Sequence, residues 1–311
     1  MDINSKKSIL ILGGNGLVGS SCFRILSESN RYNVNKSTRK DTDLFDFQST
    51  SKLINDLKPD ILINAAAKVG GIYANNTQRV QFLIENLKIN TNVLEASLPF
   101  SNMKIINLGS SCIYPLDAKN PIKESSFMEG KLEPTNSPYA MAKLTAIELG
   151  RSLSEQYGHQ VINLMPTNLY GPNDFFSDMD SHVIPALIHR MHKAKYNNEK
   201  VFHIWGSGRP LREFLYVDDL SRCIEKIIEL NVEEDLLNIG SSEEISIKNL
   251  ALMIKEILEF KGELQFDSSK PDGNPRKLLD SSTINSYGWK PQIQLEEGID
   301  LTYKWYCDNF K

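Results

Sequence analysis

A short apolar, β-branched run at residues 8–12 passes directly into Gly13-Gly14-Asn15-Gly16-Leu17-Val18-Gly19. Apolar residues then recur at helical spacing through Val18, Cys22, Ile25 and Leu26. A strand that turns on glycines 13, 16 and 19 into a helix constrains the fold more than any other stretch. The glycines permit a tight turn, close backbone approach to a pyrophosphate, and close helix–strand packing. A dinucleotide is therefore expected at Gly13, Gly14, Asn15, Gly16, Leu17, Val18 and Gly19.

The next strand, around residues 32–36, leads into Lys36-Ser37-Thr38-Arg39-Lys40. An NAD enzyme usually places a carboxylate here for the adenosine ribose. Cations at this spot suit a 2′-phosphate, so NADP is expected over NAD. Within Asp43-Leu44-Phe45-Asp46, a carboxylate either reaches the adenine amino group or caps the helix beginning near Phe47. Residues 60–64 read as another buried strand, and the small side chains of Ala65 and Ala66 after it let the backbone line the cofactor. A loop at residues 69–76 lies at the carboxyl end of that strand, where ligands of open α/β sheets collect.

An amphipathic helix over about residues 78–97 and a strand at 104–108 bring the chain to Gly109-Ser110-Ser111-Cys112. A helix carrying Tyr139 and Lys143 follows, then a strand at 160–164 and Met165-Pro166-Thr167-Asn168-Leu169-Tyr170-Gly171-Pro172. This alternation predicts an α/β fold with a doubly wound parallel sheet of Rossmann type over residues 1–168. Beyond it the loops lengthen and the elements mix. Residues 169–311 read as a second, smaller α/β substrate domain, with a segment near 212–241 returning to the first. In this half a strand is expected at 201–205 and helices near 218–229, 247–260 and 295–309. A further helix, opened by Ser181-His182-Val183-Ile184-Pro185, carries Arg190.

Tyr139 and Lys143 stand four apart and share one helix face. An ammonium beside a phenol favours the phenolate and is expected to draw the Tyr pKa below its usual value of about 10. Tyr139 would then hand a proton to a carbonyl oxygen as hydride reaches the carbon. Net charge is only -4, and no basic excess points to nucleic acid. No apolar stretch has membrane-spanning length, and Met1-Asp2-Ile3-Asn4-Ser5-Lys6-Lys7 lacks the apolar core of a signal peptide. The four cysteines form neither a disulfide framework nor a metal-ligand spacing, so no metal is expected and the cytoplasm is the default. Cys22, Cys223 and Cys307 read as small buried apolar residues.

Taken together, these stretches resemble the extended short-chain dehydrogenase/reductases. The Gly-rich turn, the set Ser110, Tyr139 and Lys143, and Arg212-Glu213-Phe214-Leu215-Tyr216-Val217-Asp218-Asp219 carry the likeness. Ala65-Ala66-Ala67-Lys68-Val69-Gly70-Gly71-Ile72, Leu132-Glu133-Pro134-Thr135-Asn136 and Lys270-Pro271-Asp272-Gly273-Asn274-Pro275-Arg276-Lys277 are similar, more specifically, to the GDP-L-fucose synthase family. The resemblance covers nearly the whole chain. It implies a homodimer that epimerises carbons 3 and 5 of GDP-4-keto-6-deoxy-D-mannose and then reduces carbon 4 with NADPH.

The same resemblance implies roles for individual residues. Cys112 is the epimerisation base, a thiol of pKa about 8.5 that a neighbouring cation or helix terminus would bring into range. His182 is the acid, since an imidazole near pKa 6.5 delivers a proton at neutral pH. Ser110 polarises the carbonyl that Tyr139 protonates, and Lys143 also bonds the nicotinamide ribose. Leu108, Gly109, Pro166, Thr167, Asn168, Leu169 and His182 complete the cofactor site. Arg190, Trp205, Arg212, Asp272 and Lys277 are implied for the GDP-sugar. One departure is Asn15, where the family often has a basic residue; Arg39 is left as the main contact for the 2′-phosphate. Ser111-Cys112 stands where nucleotide-sugar dehydratases carry an Asp-Glu pair, which disfavours dehydration. The alternatives are an epimerase/reductase of another GDP-4-keto sugar, such as a GDP-heptose, and a non-catalytic dinucleotide sensor.

Overall fold

A computed structural model of the chain describes residues 6–270 and 272–310. Residues 1–5, the start of the stretch read for a signal peptide, and Pro271 lie outside the described residues. Strand β1 (Lys7–Leu12) leads through the glycine turn into α1 (Leu17–Glu28), then β2 (Tyr32–Ser37) and α2 (Phe47–Leu57). Strand β3 (Ile61–Asn64) is followed by the short α3 (Ile72–Thr77) and the long α4 (Arg79–Ser97). Strand β4 (Lys104–Leu108), α5 (Ser137–Tyr157) and β5 (Gln160–Pro166) complete the first half.

β1 shows why this half is layered. Ile9 and Ile11 face one core with Cys22, Leu26 and Ile224, whereas Leu10 and Leu12 face another with Ile54, Val93 and Leu94. A strand alternates its side chains between faces, so an apolar residue at every position requires helices on both sides. The expected doubly wound α/β sheet is present, six parallel strands in the order β2-β1-β3-β4-β5-β9, where β9 is Leu236–Ile239. The chain reverses direction across the sheet between β1 and β3, which opens a crevice at the carboxyl ends of these strands.

The second half begins with β6 (Asn168–Tyr170), α6 (Val183–Tyr196), β7 (Val201–Trp205) and β8 (Leu211–Tyr216). Helix α7 (Val217–Glu229) and β9 pack into the same core as α1, through Leu220, Cys223, Ile227, Leu237 and Ile239. Then come β10 (Glu244–Ser246), α8 (Ile247–Ile257), β11 (Glu263–Asp267), β12 (Arg276–Lys277), α9 (Ser282–Ser286) and α10 (Leu295–Asn309). β8 pairs with β10, β12 and β6, and β7 pairs with β11. A separate core of Ile188, Met191, Phe202, Leu250, Ile254, Ile299 and Tyr306 holds these elements together.

Three local expectations change. The loop expected at 69–76 contains most of α3, which follows its N-cap Gly71 and is anchored by Asn75 Nδ2 donating to the carbonyls of Gly70 and Gly71 at 2.7 and 3.0 Å. Helix α8 stops at Ile257 rather than near 260, and Glu259 beyond it takes a φ of 53°. Cys307 is exposed rather than buried, because the buried side of α10 runs through Ile299, Thr302 and Tyr306 and leaves the next residue outside. Cys22 and Cys223 are buried as expected.

Gly19 is the position in the turn with the least room: a Cβ there would collide with the carbonyl of Gly13. Gly19→Ala must push α1 away from the turn, and overpacking of this kind costs about 1–3 kcal/mol. Urea unfolding should show that loss, accompanied by weaker NADPH binding.

Candidate active site

The carboxyl end of β4 and the first turns of α5 meet here. Ser110 follows β4 and its Oγ accepts a hydrogen bond from the Cys112 N–H at 3.2 Å, which closes a 3₁₀ turn over Ser111–Ile113. Helix α5 presents Tyr139 and Lys143 toward this turn. Tyr139 lies near enough to Ser110 for its hydroxyl to favour the phenolate, and near enough to Cys112 for a charge on that sulfur to oppose it. Phe82 of α4 braces the phenol edge-on, with ring centroids 6.2 Å apart. Ser110, Cys112, Tyr139 and Lys143 are thus brought together.

The electrostatics differ from the expectation. Burial pushes the Tyr139 phenol up, the Cys112 charge adds to this, and only the Ser110 hydrogen bond opposes it. Lys143 does not draw the phenol down. Its Nζ donates to the Leu108 carbonyl at 2.6 Å and stands 5.9 Å from the Tyr139 ring centroid. Lys143 is 2 % exposed, and loss of hydration brings its ammonium down to about 8.

His182 is the N-cap residue of α6, but its side chain makes no capping bond. The ring has solvent-accessible surface yet is surrounded by protein at longer range, and that burial lowers its pKa below 6.5. The segment before it is pinned to the loop after β3. Gly71 N–H donates to the Asp180 carbonyl at 2.7 Å, and a Cβ on Gly71 would meet the Ser181 carbonyl. Since β3 and β4 are neighbours, His182 is held along the same edge of the sheet as Cys112.

The residues expected for a dinucleotide form a cradle around the switch point. Gly13 has φ 77°, and a Cβ there would stand 2.9 Å from the Ala65 carbonyl and from Ala66 N. Gly14 N–H donates to the Ser37 carbonyl at 2.9 Å, tying the turn to the end of β2, and Asn15 and Gly16 face solvent. Leu17 and Val18 open α1. Arg39 is exposed and bonds no acceptor among the described residues. Such a bare, glycine-lined turn beside a free guanidinium fits a pyrophosphate and a 2′-phosphate.

Asp46 caps α2 by accepting from Ser49 N–H at 2.7 Å, whereas Asp43 Oδ1 accepts from Phe45 N–H at 2.9 Å and leaves its other oxygen available. The Leu44 carbonyl accepts from Asn92, and a Cβ on Gly109 would collide with Met165. After Pro166, Thr167 Oγ1 and Asn168 Nδ2 both donate to the Glu213 carbonyl, at 3.1 and 2.8 Å, and Leu169 continues into β6.

The substrate candidates gather in the second half. Arg212 and Lys277 are register partners across β8 and β12, so two cations lie side by side. Asp272 accepts from Ser207 N–H and Oγ at 2.6 and 2.7 Å, which secures its loop, and its charge acts on Arg212. Trp205 is 49 % exposed at the end of β7. Arg190 reaches the same strand, where Nη2 donates to the His203 carbonyl at 2.6 Å.

Two residues escaped the sequence reading. Asn136 Nδ2 donates to Cys112 Sγ at 3.4 Å, a contact across 24 residues that the stretch Leu132-Glu133-Pro134-Thr135-Asn136 does not signal by itself. Glu213 is fully buried, and its carboxylate accepts from Ser242 N–H at 2.7 Å and Leu279 N–H at 3.1 Å. It thereby braces the strands that carry Arg212 and Lys277. The available signal was a carboxylate beside Arg212 that runs straight into the apolar end of β8.

The NAD dependent epimerase/dehydratase family model matches residues 9–240. A probable GDP-L-fucose synthase 1 from Oryza sativa is 46% identical, covering 97% of this chain and 92% of its own. A GDP-L-fucose synthetase from Naegleria fowleri, solved with NADP bound, has TM-score 0.89 at 30% identity, covering 100% of this chain and 97% of that one. A GDP-mannoheptose C4 reductase from Campylobacter jejuni, also with NADP bound, has TM-score 0.85 at 34% identity, covering 97% and 98%.

Lys143 makes stability depend on pH. The folded chain releases this proton near pH 8 and the unfolded chain near 10.5, so folding gains stability as pH rises through that window. Below it the full penalty, about 3 kcal/mol, is present. In denaturant unfolding without cofactor, Lys143→Met should be the more stable protein at pH 7, with the difference closing toward pH 10.

Proposed function

The chain belongs to the NAD dependent epimerase/dehydratase family, and on that premise we propose how its residues divide the work. The protein is an NADP(H)-dependent enzyme that converts GDP-4-keto-6-deoxy-D-mannose to GDP-L-fucose. The observation that most supports a two-stage site is the cluster itself: a thiol, Cys112, lies beside the Ser110 and Tyr139 pair rather than apart from it.

Protons at carbons 3 and 5 are acidic because removing either one gives an enolate conjugated with the carbon-4 ketone. Cys112 takes the proton from one face and His182 returns one to the other. Burial holds His182 below 6.5, and the negative pyrophosphate of a bound substrate favours its protonated form. Ser110 then hydrogen-bonds the carbon-4 oxygen and Tyr139 protonates it. A bound NADPH would supply the hydride for carbon 4. With the cofactor bound, Lys143 would hold its nicotinamide ribose from its place against the Leu108 carbonyl. Arg190, Arg212 and Lys277 bind the two phosphates, Arg212 and Lys277 as a pair, with Trp205 as a wall and Asp272 fixing the loop. Arg39 takes the 2′-phosphate, and the remaining cradle residues line the dinucleotide.

Residues 1–168 and the returning segment near 212–241 form the cofactor part, and residues 169–311 otherwise form the substrate part. A homodimer is supported by exposed apolar residues along α4 and α5, namely Val80, Ile84, Met141 and Tyr157, which a second copy would cover. A cytoplasmic location suits a reaction whose base is a free thiol. No helix among the described residues is long and apolar enough to cross a membrane. The heptose reductase likeness keeps a GDP-4-keto-heptose as the second reading.

With GDP-4-keto-6-deoxy-D-mannose, one NADPH should be oxidised per GDP-L-fucose formed. A heptose preference would appear instead as faster turnover of the heptose analogue. Tyr139→Phe should slow reduction by roughly 10²–10⁴-fold, the usual range for a lost general acid, while ring-proton exchange continues. Cys112→Ser should do the reverse, with NADPH binding intact. Equal loss of both activities in both variants would show that the division is wrong. Arg39→Ser should narrow the preference for NADPH over NADH by about tenfold, as expected for one lost charge-assisted contact.

A further inference from the structure

Asn136 stands at the N-cap of α5, where a side chain ordinarily accepts a hydrogen bond from the second or third N–H of the helix. Its side chain makes no such bond. Nδ2 donates instead to Cys112 Sγ at 3.4 Å, and Oδ1 is buried with no partner among the described residues. The amide gives its hydrogen bond to the sulfur and not to its own helix.

The amide is held firmly. The Glu133 carboxylate accepts from the N–H groups of Thr135 and Asn136, both at 3.1 Å. From the other side the Arg79 guanidinium donates to the carbonyls of Pro134 and Thr135 at 2.8 and 3.2 Å, and to Ser137 Oγ at 3.2 Å. Cys112 is fixed by its own N–H on Ser110 Oγ. Two braced segments thus bring one donor to one sulfur.

The geometry points to Asn136 as a positioning residue for the epimerisation base: its Nδ2–H group aims the Cys112 sulfur and stabilises it as the thiolate. This rests on the reading of Cys112 as the base. An N–H donor favours the charged sulfur over the neutral one, because a thiolate is the stronger acceptor. Tyr139 is the titratable group that the sulfur perturbs, and as a phenolate it would act against the thiolate. The amide is thus the neutral donor that can offset it. In turnover the thiolate takes a proton from carbon 3 or 5 as the C–H electron pair moves into the enolate.

The test needs no sugar. In the full chain carrying Cys307→Ser, which removes the exposed thiol, iodoacetamide labelling of Cys112 is followed by mass spectrometry across pH. Asn136→Ala should label about tenfold more slowly at neutral pH, with its profile moved to higher pH by about one unit, which corresponds to about 1.4 kcal/mol. The isosteric Asn136→Asp removes the donor and adds a negative charge, so it should move further in the same direction. NADPH affinity should be unchanged in both. An unmoved or acid-shifted profile would overturn the assignment. So would NADPH binding lost in step with labelling, which would mark Asn136 as a fold residue. A wrong choice of sugar would leave these results untouched, whereas it would abolish turnover by the parent enzyme.

Discussion

The site depends on one constraint, the reversal of strand order between β1 and β3. Because the chain leaves β1 toward one edge of the sheet and returns to the other side of it, the loops after these strands part and leave a crevice at their carboxyl ends. The glycine turn fills one wall and Ala65-Ala66 the other, so close that a Cβ on Gly13 would touch them. Everything chemical is arranged along the same edge. Ser110 and Cys112 follow β4, the loop before His182 is tied by Gly71 to the end of β3, and Lys143 anchors to the last carbonyl of β4.

Function is placed at some cost to stability. Lys143 is an almost fully buried ammonium with one hydrogen bond from Nζ to the Leu108 carbonyl. Among the described residues the Asn136 amide oxygen is buried without a partner, and so is Asp174 Oδ2, whose carboxyl burial pushes up to about 7. Buried polar groups left unpaired are destabilising. The two hydrophobic layers around β1 offset them.

Much of this was legible in the sequence because it is local. Strand, glycine turn and helix follow one another within residues 8–26, and the apolar runs at 60–64, 104–108 and 160–164 each became a parallel strand. Helix spacing put Tyr139 and Lys143 on one face, but spacing carries no information on hydration. Burial is the largest influence on both groups, and a backbone carbonyl takes the ammonium that was expected to serve the phenol. Asn136 was illegible for a related reason: a cap residue and a sulfur ligand look alike until the turn at 111–113 is folded against α5. Cys307 was misread because composition does not say which side of α10 faces in.

If one site carries both proton exchange and reduction, proton NMR in deuterated water without NADPH separates the two stages. Purified protein incubated with GDP-4-keto-6-deoxy-D-mannose should place deuterium at carbons 3 and 5 while carbon 4 stays a ketone, and GDP-L-fucose should form only once NADPH is added. NADPH consumption with no ring deuterium would contradict the account. It would leave a plain 4-reductase in which Cys112 and His182 serve only packing.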